Sequence, residues 1–285
     1  MASMKQIKTR TKSVKSTQQI TKAMNLVSAS KLQKTKDRLE HYRIYFDKIE
    51  ETMASIVKHT KYINHPYLRV RNDKRRLYIV ITSDRGLCGG YNSNIIKFLL
   101  EDAKDKNPEL IVVGKKAKGI FAKREFEVVE ELIGISENPQ IKDARDIAET
   151  ALELYRNDEV DEVSVIYTKF NSTIDQEVKK ERILPVDVEK IEIECHRDTE
   201  VLHTYEPSPE DVLSKIIPQY AEGVILGALI ESATSEQGAR MTAMDSATEN
   251  AGVLIDDLTL LYNRKRQAAI TQEIAELVSG AEALK

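Results

Sequence analysis

Residues 241–284 read MTAMDSATENAGVLIDDLTLLYNRKRQAAITQEIAELVSGAEAL. The strong helix formers Ala, Leu, Glu, Gln, Met, Lys and Arg dominate this stretch. It closes a longer one, Pro209 to Ala283, whose only proline after the first residue is Pro218. A helix from Pro218 to the end would be on the order of 100 Å long at ~1.5 Å per residue, several times the diameter of a small domain. Met241, Met244, Thr248, Ala251, Ile255, Leu258 and Tyr262 recur in steps of three and four, and the frame continues as Lys265, Ala269, Gln272 and Glu276. A stripe with this spacing needs a partner helix or a surrounding shell to bury it. The seam starts apolar and turns polar towards the end of the chain.

The other end of the chain supplies the partner. Residues 1–65 contain neither proline nor glycine, and Ser3 can cap a helix over 3–58. Leu32, Thr35, Leu39, Tyr42, Phe46, Ile49, Met53 and Ile56 form a sustained heptad seam. Carried backwards, the same frame gives Ser28, Asn25, Thr21, Gln18, Val14, Thr11 and Ile7, which are mostly small or polar. Both terminal helices therefore dilute their seams in the same sense if they run antiparallel. The last helix is the longer, so its tip should project alone. Charge is graded too: Lys5, Lys8, Arg10, Lys12, Lys15, Lys22, Lys31, Lys34 and Lys36 all precede the first acid, Asp37. A basic helix end predicts an acidic partner surface.

Between the helices the texture changes. Leu77–Thr82 and Leu110–Gly114 are β-branched apolar runs of the kind found in buried parallel strands. Helices are expected over Ile95–Lys106, Lys115–Arg124 and Ile141–Arg156, and further strands over Glu127–Ile133 and Val163–Phe170. This alternation predicts an α/β domain with a parallel sheet. Gln176–Pro185 and Val188–Cys195 alternate more and read as edge strands. Ser208 as a cap with Pro209 at the first helical position restarts a helix. The expected organisation is a coiled-coil helix at 1–58, an inserted Rossmann-like α/β domain at 75–195 and a second coiled-coil helix at 207–285.

Bulk properties narrow the function. The chain has 285 residues, 41% hydrophobic and 31% charged, with no Trp and a net charge of -3. High charge without Trp suits long exposed helices. The near-neutral balance gives no global pull towards nucleic acid, and no recognition motif accompanies the basic helix end. Cys88 and Cys195 are too few for a disulfide framework or a cysteine zinc site. MASMKQIKTR has no apolar signal region, and the longest apolar run, Val224–Ile230, is short of the ~18 residues of a membrane span. Any membrane association is expected to come through a partner.

No catalytic constellation assembles. Gly86, Gly89 and Gly90 in SDRGLCGGYN follow a strand and precede a helix, where phosphate loops sit. Their spacing fits neither the dinucleotide nor the P-loop pattern, so the loop reads as a structural turn, with an α/β nucleotide-binding enzyme as a distant alternative. His41, His59, His65, His196 and His203 show no ligand spacing, and neither metal nor cofactor is expected. Asn263, Arg264, Lys265, Arg266 and Gln267 form a polar cluster, unremarkable on a lone exposed helix but a ring of donors for carboxylates and carbonyls on a helix enclosed by other chains.

Four segments resemble the gamma-subunit family of F-type ATP synthases, of bacterial type: ITQEIAELVSGAEA at Ile270–Ala283, SDRGLCGGYN at Ser83–Asn92, ITKAMNLVSASKL at Ile20–Leu32 and RMTAMDSATENA at Arg240–Ala251. The resemblance implies a non-catalytic rotor whose terminal helices stand inside a hexamer of alpha and beta subunits. It implies an α/β domain beside the epsilon subunit and the c-ring, and a peripheral position on the cytoplasmic side of the cell membrane. Turning of the ring by proton flow would then cycle the catalytic beta subunits. By position, the resemblance assigns Arg264 and Gln267 to a beta-subunit loop and Met24 to the acidic lever of beta. Lys8, Lys12 and Lys22 join them on charge alone. Tyr205 and Glu206 are expected to face the c-ring or epsilon subunit. The competing reading is a cytosolic coiled-coil adaptor whose basic helix binds an acidic partner or nucleic acid.

Overall fold

The computed structural model describes residues 3–59, 65–71, 75–104, 108–121, 126–187 and 208–283. Helix α1 spans Met4–His59. Ser3 starts it with a capping box: its Oγ accepts the Gln6 N–H at 3.3 Å and its own N–H donates to Gln6 Oε1 at 2.7 Å. Strands β1 (Arg76–Ile81), β2 (Glu109–Val113) and β3 (Val128–Leu132) alternate with α2 (Tyr91–Asp102) and α3 (Lys115–Phe121). Helix α4 (Ile141–Arg156) leads to β4 (Glu162–Phe170) and β5 (Gln176–Leu184). Helix α5 spans Pro209–Ala283. Ser208 caps it as the sequence suggests, its Oγ accepting the Asp211 N–H at 3.1 Å.

The strand order is β3-β2-β1-β4-β5. The four strands β3, β2, β1 and β4 are parallel, and β5 pairs antiparallel with β4 at one edge. The central strands are buried on both faces, as their unbroken β-branched runs require. Alternate residues serve two cores. Tyr78, Val80, Leu110, Val112 and Ile166 pack with α2 and α3 through Ile95, Leu99, Ala117 and Phe121. Leu77, Ile79, Ile81, Ile111, Val113, Val163 and Val165 pack with α4 and with parts of α1 and α5. The apolar face expected of α4 is the observed one: Ala144, Ile147, Ala148, Ala151, Leu152 and Tyr155 are all buried. β5 confirms the first of the expected edge strands, whereas Val188–Cys195 lies outside the described residues.

By contacts the chain divides into two compact units, one of residues 1–28 and 241–285 and the other of residues 29–240. In the first, α1 and α5 run antiparallel and are joined by polar bonds. Asn25 Nδ2 donates to the Met241 carbonyl at 3.0 Å, Gln18 Nε2 to the Thr248 carbonyl at 3.3 Å, and the Thr21 and Thr248 hydroxyls meet at 2.7 Å. Ile7, Met244, Ala251 and Leu258 are buried between them. Every residue from Ile270 to Val278 is exposed, as the longer last helix predicts.

In the second unit the same two helices meet through larger side chains. Leu32, Leu39, Met53 and Ile56 of α1 and Leu213, Ile217, Ile225 and Leu229 of α5 are buried. α5 continues through Pro218, which forgoes one intrahelical hydrogen bond. One part of α5 is long and apolar enough to cross a membrane by length and composition, against the reading from the short run Val224–Ile230. Its apolar residues are mostly buried in the fold, so core packing accounts for them.

Candidate functional site

The unit of residues 1–28 and 241–285 carries most of the residues picked out from sequence. Lys8, Lys12, Lys22, Arg264 and Gln267 are exposed on its helices, and Met24 is half-buried beside the seam residue Asn25. A groove of about 510 Å³ is lined by Lys8, Thr9, Thr11, Lys12, Lys15, Thr259 and Tyr262. Lys8, Lys12 and Tyr262 share its lining, whereas Lys22, Met24, Arg264 and Gln267 lie outside it. Within the polar cluster at 263–267, Lys265 is half-buried and has a partner, whereas Asn263, Arg264, Arg266 and Gln267 are exposed. Tyr205 and Glu206 lie outside the described residues.

The same surface is unusually apolar. Ile20, Leu26, Val27, Val253, Leu260, Leu261, Ile270, Ile274, Leu277 and Val278 are exposed. Large apolar side chains at this density, interleaved with Lys and Arg, mark a surface made to be covered by another chain.

The glycine loop lies in the other unit and is tied down from several directions. The Asp84 carboxylate accepts the N–H of Lys115 at 3.0 Å, the N–H of Gly134 at 3.0 Å and the Ser136 hydroxyl at 2.8 Å. One carboxylate thus fastens the segments that follow β1, β2 and β3, and it fills the anion position at the first turn of α3. Burial alone would raise the Asp84 pKa, but the donors from Gly134, Ser136 and Lys115 outweigh it and hold the carboxyl below its usual range. Asn92 Oδ1 accepts the Ser83 N–H at 3.0 Å, and Glu137 pairs with both Lys31 at 2.7 Å and Arg85 at 3.2 Å. Cys88 is buried, and burial raises its thiol pKa, so it is a poor nucleophile.

Helix α5 clamps this loop. Arg240 Nε and Nη2 donate to the Gly86 carbonyl at 3.4 and 3.3 Å, and Nη2 also reaches Glu236 Oε1 at 2.6 Å. Neither Asp84 nor the Glu236–Arg240 pair stood out in the sequence. Asp84 lies in the quoted loop Ser83–Asn92 and Arg240 opens the quoted segment Arg240–Ala251, but nothing in either segment marked these side chains individually. Among the described residues, no group of three or more His, Cys, Asp and Glu could hold a metal ion.

These features define a class: a helix pair with a broad apolar and basic contact surface, joined in one chain to an α/β unit whose glycine loop is tied down by internal hydrogen bonds. The family model described as ATP synthase matches residues 3–284. A similar curated protein, the ATP synthase gamma chain of Alkaliphilus metalliredigens (strain QYMF), is 49% identical over 285 residues, covering 99% of each chain. The chain belongs to the ATP synthase gamma-chain family. A chain from the central stalk and c-ring structure of the Tetrahymena thermophila mitochondrial ATP synthase superposes with a TM-score of 0.60 at 28% identity, over 80% of this chain and 99% of that one. A chain from the Euglena gracilis mitochondrial ATP synthase shares the fold with a TM-score of 0.71 at 19% identity, over 99% of this chain and 94% of that one. Family membership supports the rotor reading and not the adaptor.

Proposed function

We propose that the chain is the central-stalk rotor of an F-type ATP synthase. It couples proton-driven turning of the c-ring to conformational cycling of the catalytic beta subunits, in synthesis or hydrolysis of ATP. The observation that carries this reading is the exposed apolar and basic surface of the helix pair, in a chain 49% identical to a gamma chain along its whole length. The chain itself breaks no bond and needs no cofactor. Its coiled-coil segments 1–58 and 207–285 act on alpha and beta, and the inserted domain 75–195 on epsilon and the c-ring. Membrane association, on the cytoplasmic side of the cell membrane, comes through that complex. Arg264, Gln267, Met24, Lys8, Lys12 and Lys22 contact beta, and Tyr205 and Glu206 the ring or epsilon.

A rotor must press on its neighbours without settling at one angle. Screened charges and scattered apolar contacts suit that better than one large complementary patch, which would favour a single state. Coexpression with alpha and beta subunits tests the proposal. The chain should copurify with them in one complex, and ATP-driven proton pumping by membranes should require it. A stable, pumping complex that lacks the chain would refute the reading.

A further inference from the structure

Within residues 29–240, the packing of α1 on α5 is unlike the polar seam of the other unit. Gly223 and Gly227 lie one helical turn apart on α5. A Cβ placed at Gly223 would be 2.8 Å from Phe46 Cδ2, and one at Gly227 would be 2.8 Å from Tyr42 Cε1. Both distances are shorter than real Cβ contacts. The rings therefore sit in holes that exist only because these two residues are glycine. Tyr42 and Phe46 stack at 5.7 Å, and Phe46 stacks on Tyr220 of α5 at 5.8 Å. The Tyr42 hydroxyl also donates to the Gly223 carbonyl. Burial, then the nearby Glu50, raises its pKa, which keeps the donor protonated.

We infer that Tyr42, seated on Gly223 and Gly227, is the positioning residue that fixes the register of α1 on α5, so that torque applied to one helix reaches the other without slip. The inference rests on the rotor reading above. A slide of one residue, ~1.5 Å along the axis, would carry the ring off its glycine and onto a side chain. The bond to the Gly223 carbonyl fixes the angle about the axis as well. Among the described residues, the seam of the other unit has polar bonds but no ring set over a glycine. The Cβ position at Gly252 there meets only the amide end of Gln18 at 3.3 Å, a flexible group that can re-pair.

The test uses the assembled complex in membrane vesicles and reads protons pumped per ATP hydrolysed. Gly227→Ala fills the hole, and Tyr42→Leu shortens the knob. Each change alone should lower the ratio about threefold or more, while the double variant, a shorter knob on a shallower hole, should recover most of the loss. Additive losses in the double variant would overturn the inference. So would an unchanged ratio, or pumping and hydrolysis falling together in step with loss of the chain from the complex. If Gly227→Ala does not assemble, Tyr42→Leu carries the test alone, since it removes bulk and introduces no clash; an unchanged ratio overturns the inference. Failure of the rotor reading shows differently, as absence of the unaltered chain from the complex.

Discussion

Arg240 and Glu236 lie one turn apart on α5, with Nη2 and Oε1 2.6 Å apart and side chains only 7% and 1% exposed. Removing one partner of a buried pair leaves an uncompensated charge. Arg240→Ala should therefore cost about 3–5 kcal/mol of stability, while exchange of both residues for apolar ones of similar volume should cost much less. Burial raises the Glu236 pKa, and the guanidinium opposes that shift. Without the guanidinium the folded-state pKa rises further above the unfolded value, so the variant's stability is greatest in acid and falls as pH increases through the folded pKa. The deficit of Arg240→Ala should shrink on acidification. Urea unfolding of both proteins at about pH 5 and about pH 8 measures it.

Asp84 behaves in the opposite sense. Its folded pKa is held below the ordinary value of 3.8, so its contribution is complete above that value and is lost as pH falls through the folded pKa. Asp84→Ala leaves the N–H groups of Lys115, Gly134 and Ser136 without their acceptor, at a cost of about 1–3 kcal/mol at neutral pH. The difference between Asp84→Asn and the unaltered chain should narrow in acid. A constant difference from neutral pH to about pH 3 would show that the carboxylate charge plays no part in holding the three segments together.

Two glycines separate backbone strain from helix propensity. Gly114 has a φ of +93°, and a Cβ there would be 2.3 Å from the Thr82 carbonyl oxygen. The clash is with backbone, where β1 and β2 run on into their loops, and it cannot be relieved by a rotamer change. Gly114→Ala should cost about 2–4 kcal/mol. Gly119, inside α3, has nothing within 4 Å of its Cβ position. Gly119→Ala should gain about 0.5–1 kcal/mol through helix propensity. Thermal melts of the two variants should therefore shift in opposite directions.

The helices were legible because periodicity is a local property of the chain. Every seam position read from Ile7 to Ile56 is buried or half-buried, and the caps at Ser3 and Ser208 form as their sequence contexts suggest. The sheet was legible for the same reason, since strands buried on both faces read as unbroken β-branched runs. The ties between elements were not. Asp84 finds donors after β2 and β3, and Arg240 finds the Gly86 carbonyl 154 positions away. Such pairs leave no periodic trace. The Gly223 and Gly227 holes were open to inference, because an antiparallel frame sets a one-turn glycine spacing opposite an aromatic seam residue. Composition alone treats those glycines as weak points in a helix.

The contact residues on the helix pair make the most direct functional prediction. Arg264 and Gln267 are exposed on α5 beyond Leu258, the last buried seam residue among those described, so their truncation creates neither a cavity nor an unpaired buried group. The double change Arg264→Ala with Gln267→Ala should leave the isolated chain's stability within about 0.5 kcal/mol. If the two side chains engage carboxylates or carbonyls of a beta subunit, it should nevertheless lower ATP turnover of the assembled complex several-fold. Loss of a charge-assisted bond made only in part of the cycle acts on rate more than on assembly. The Lys8 and Lys12 groove should behave differently. Its charges are exposed and screened, so Lys8→Ala with Lys12→Ala should weaken turnover mainly at low ionic strength, and the difference should fade as salt rises towards 1 M, where the Debye length is about 3 Å. Steady-state hydrolysis across a salt series, with subunit content checked by gel, measures both effects. Full turnover of the Arg264 and Gln267 double variant in a fully assembled complex would remove these two residues from the contact.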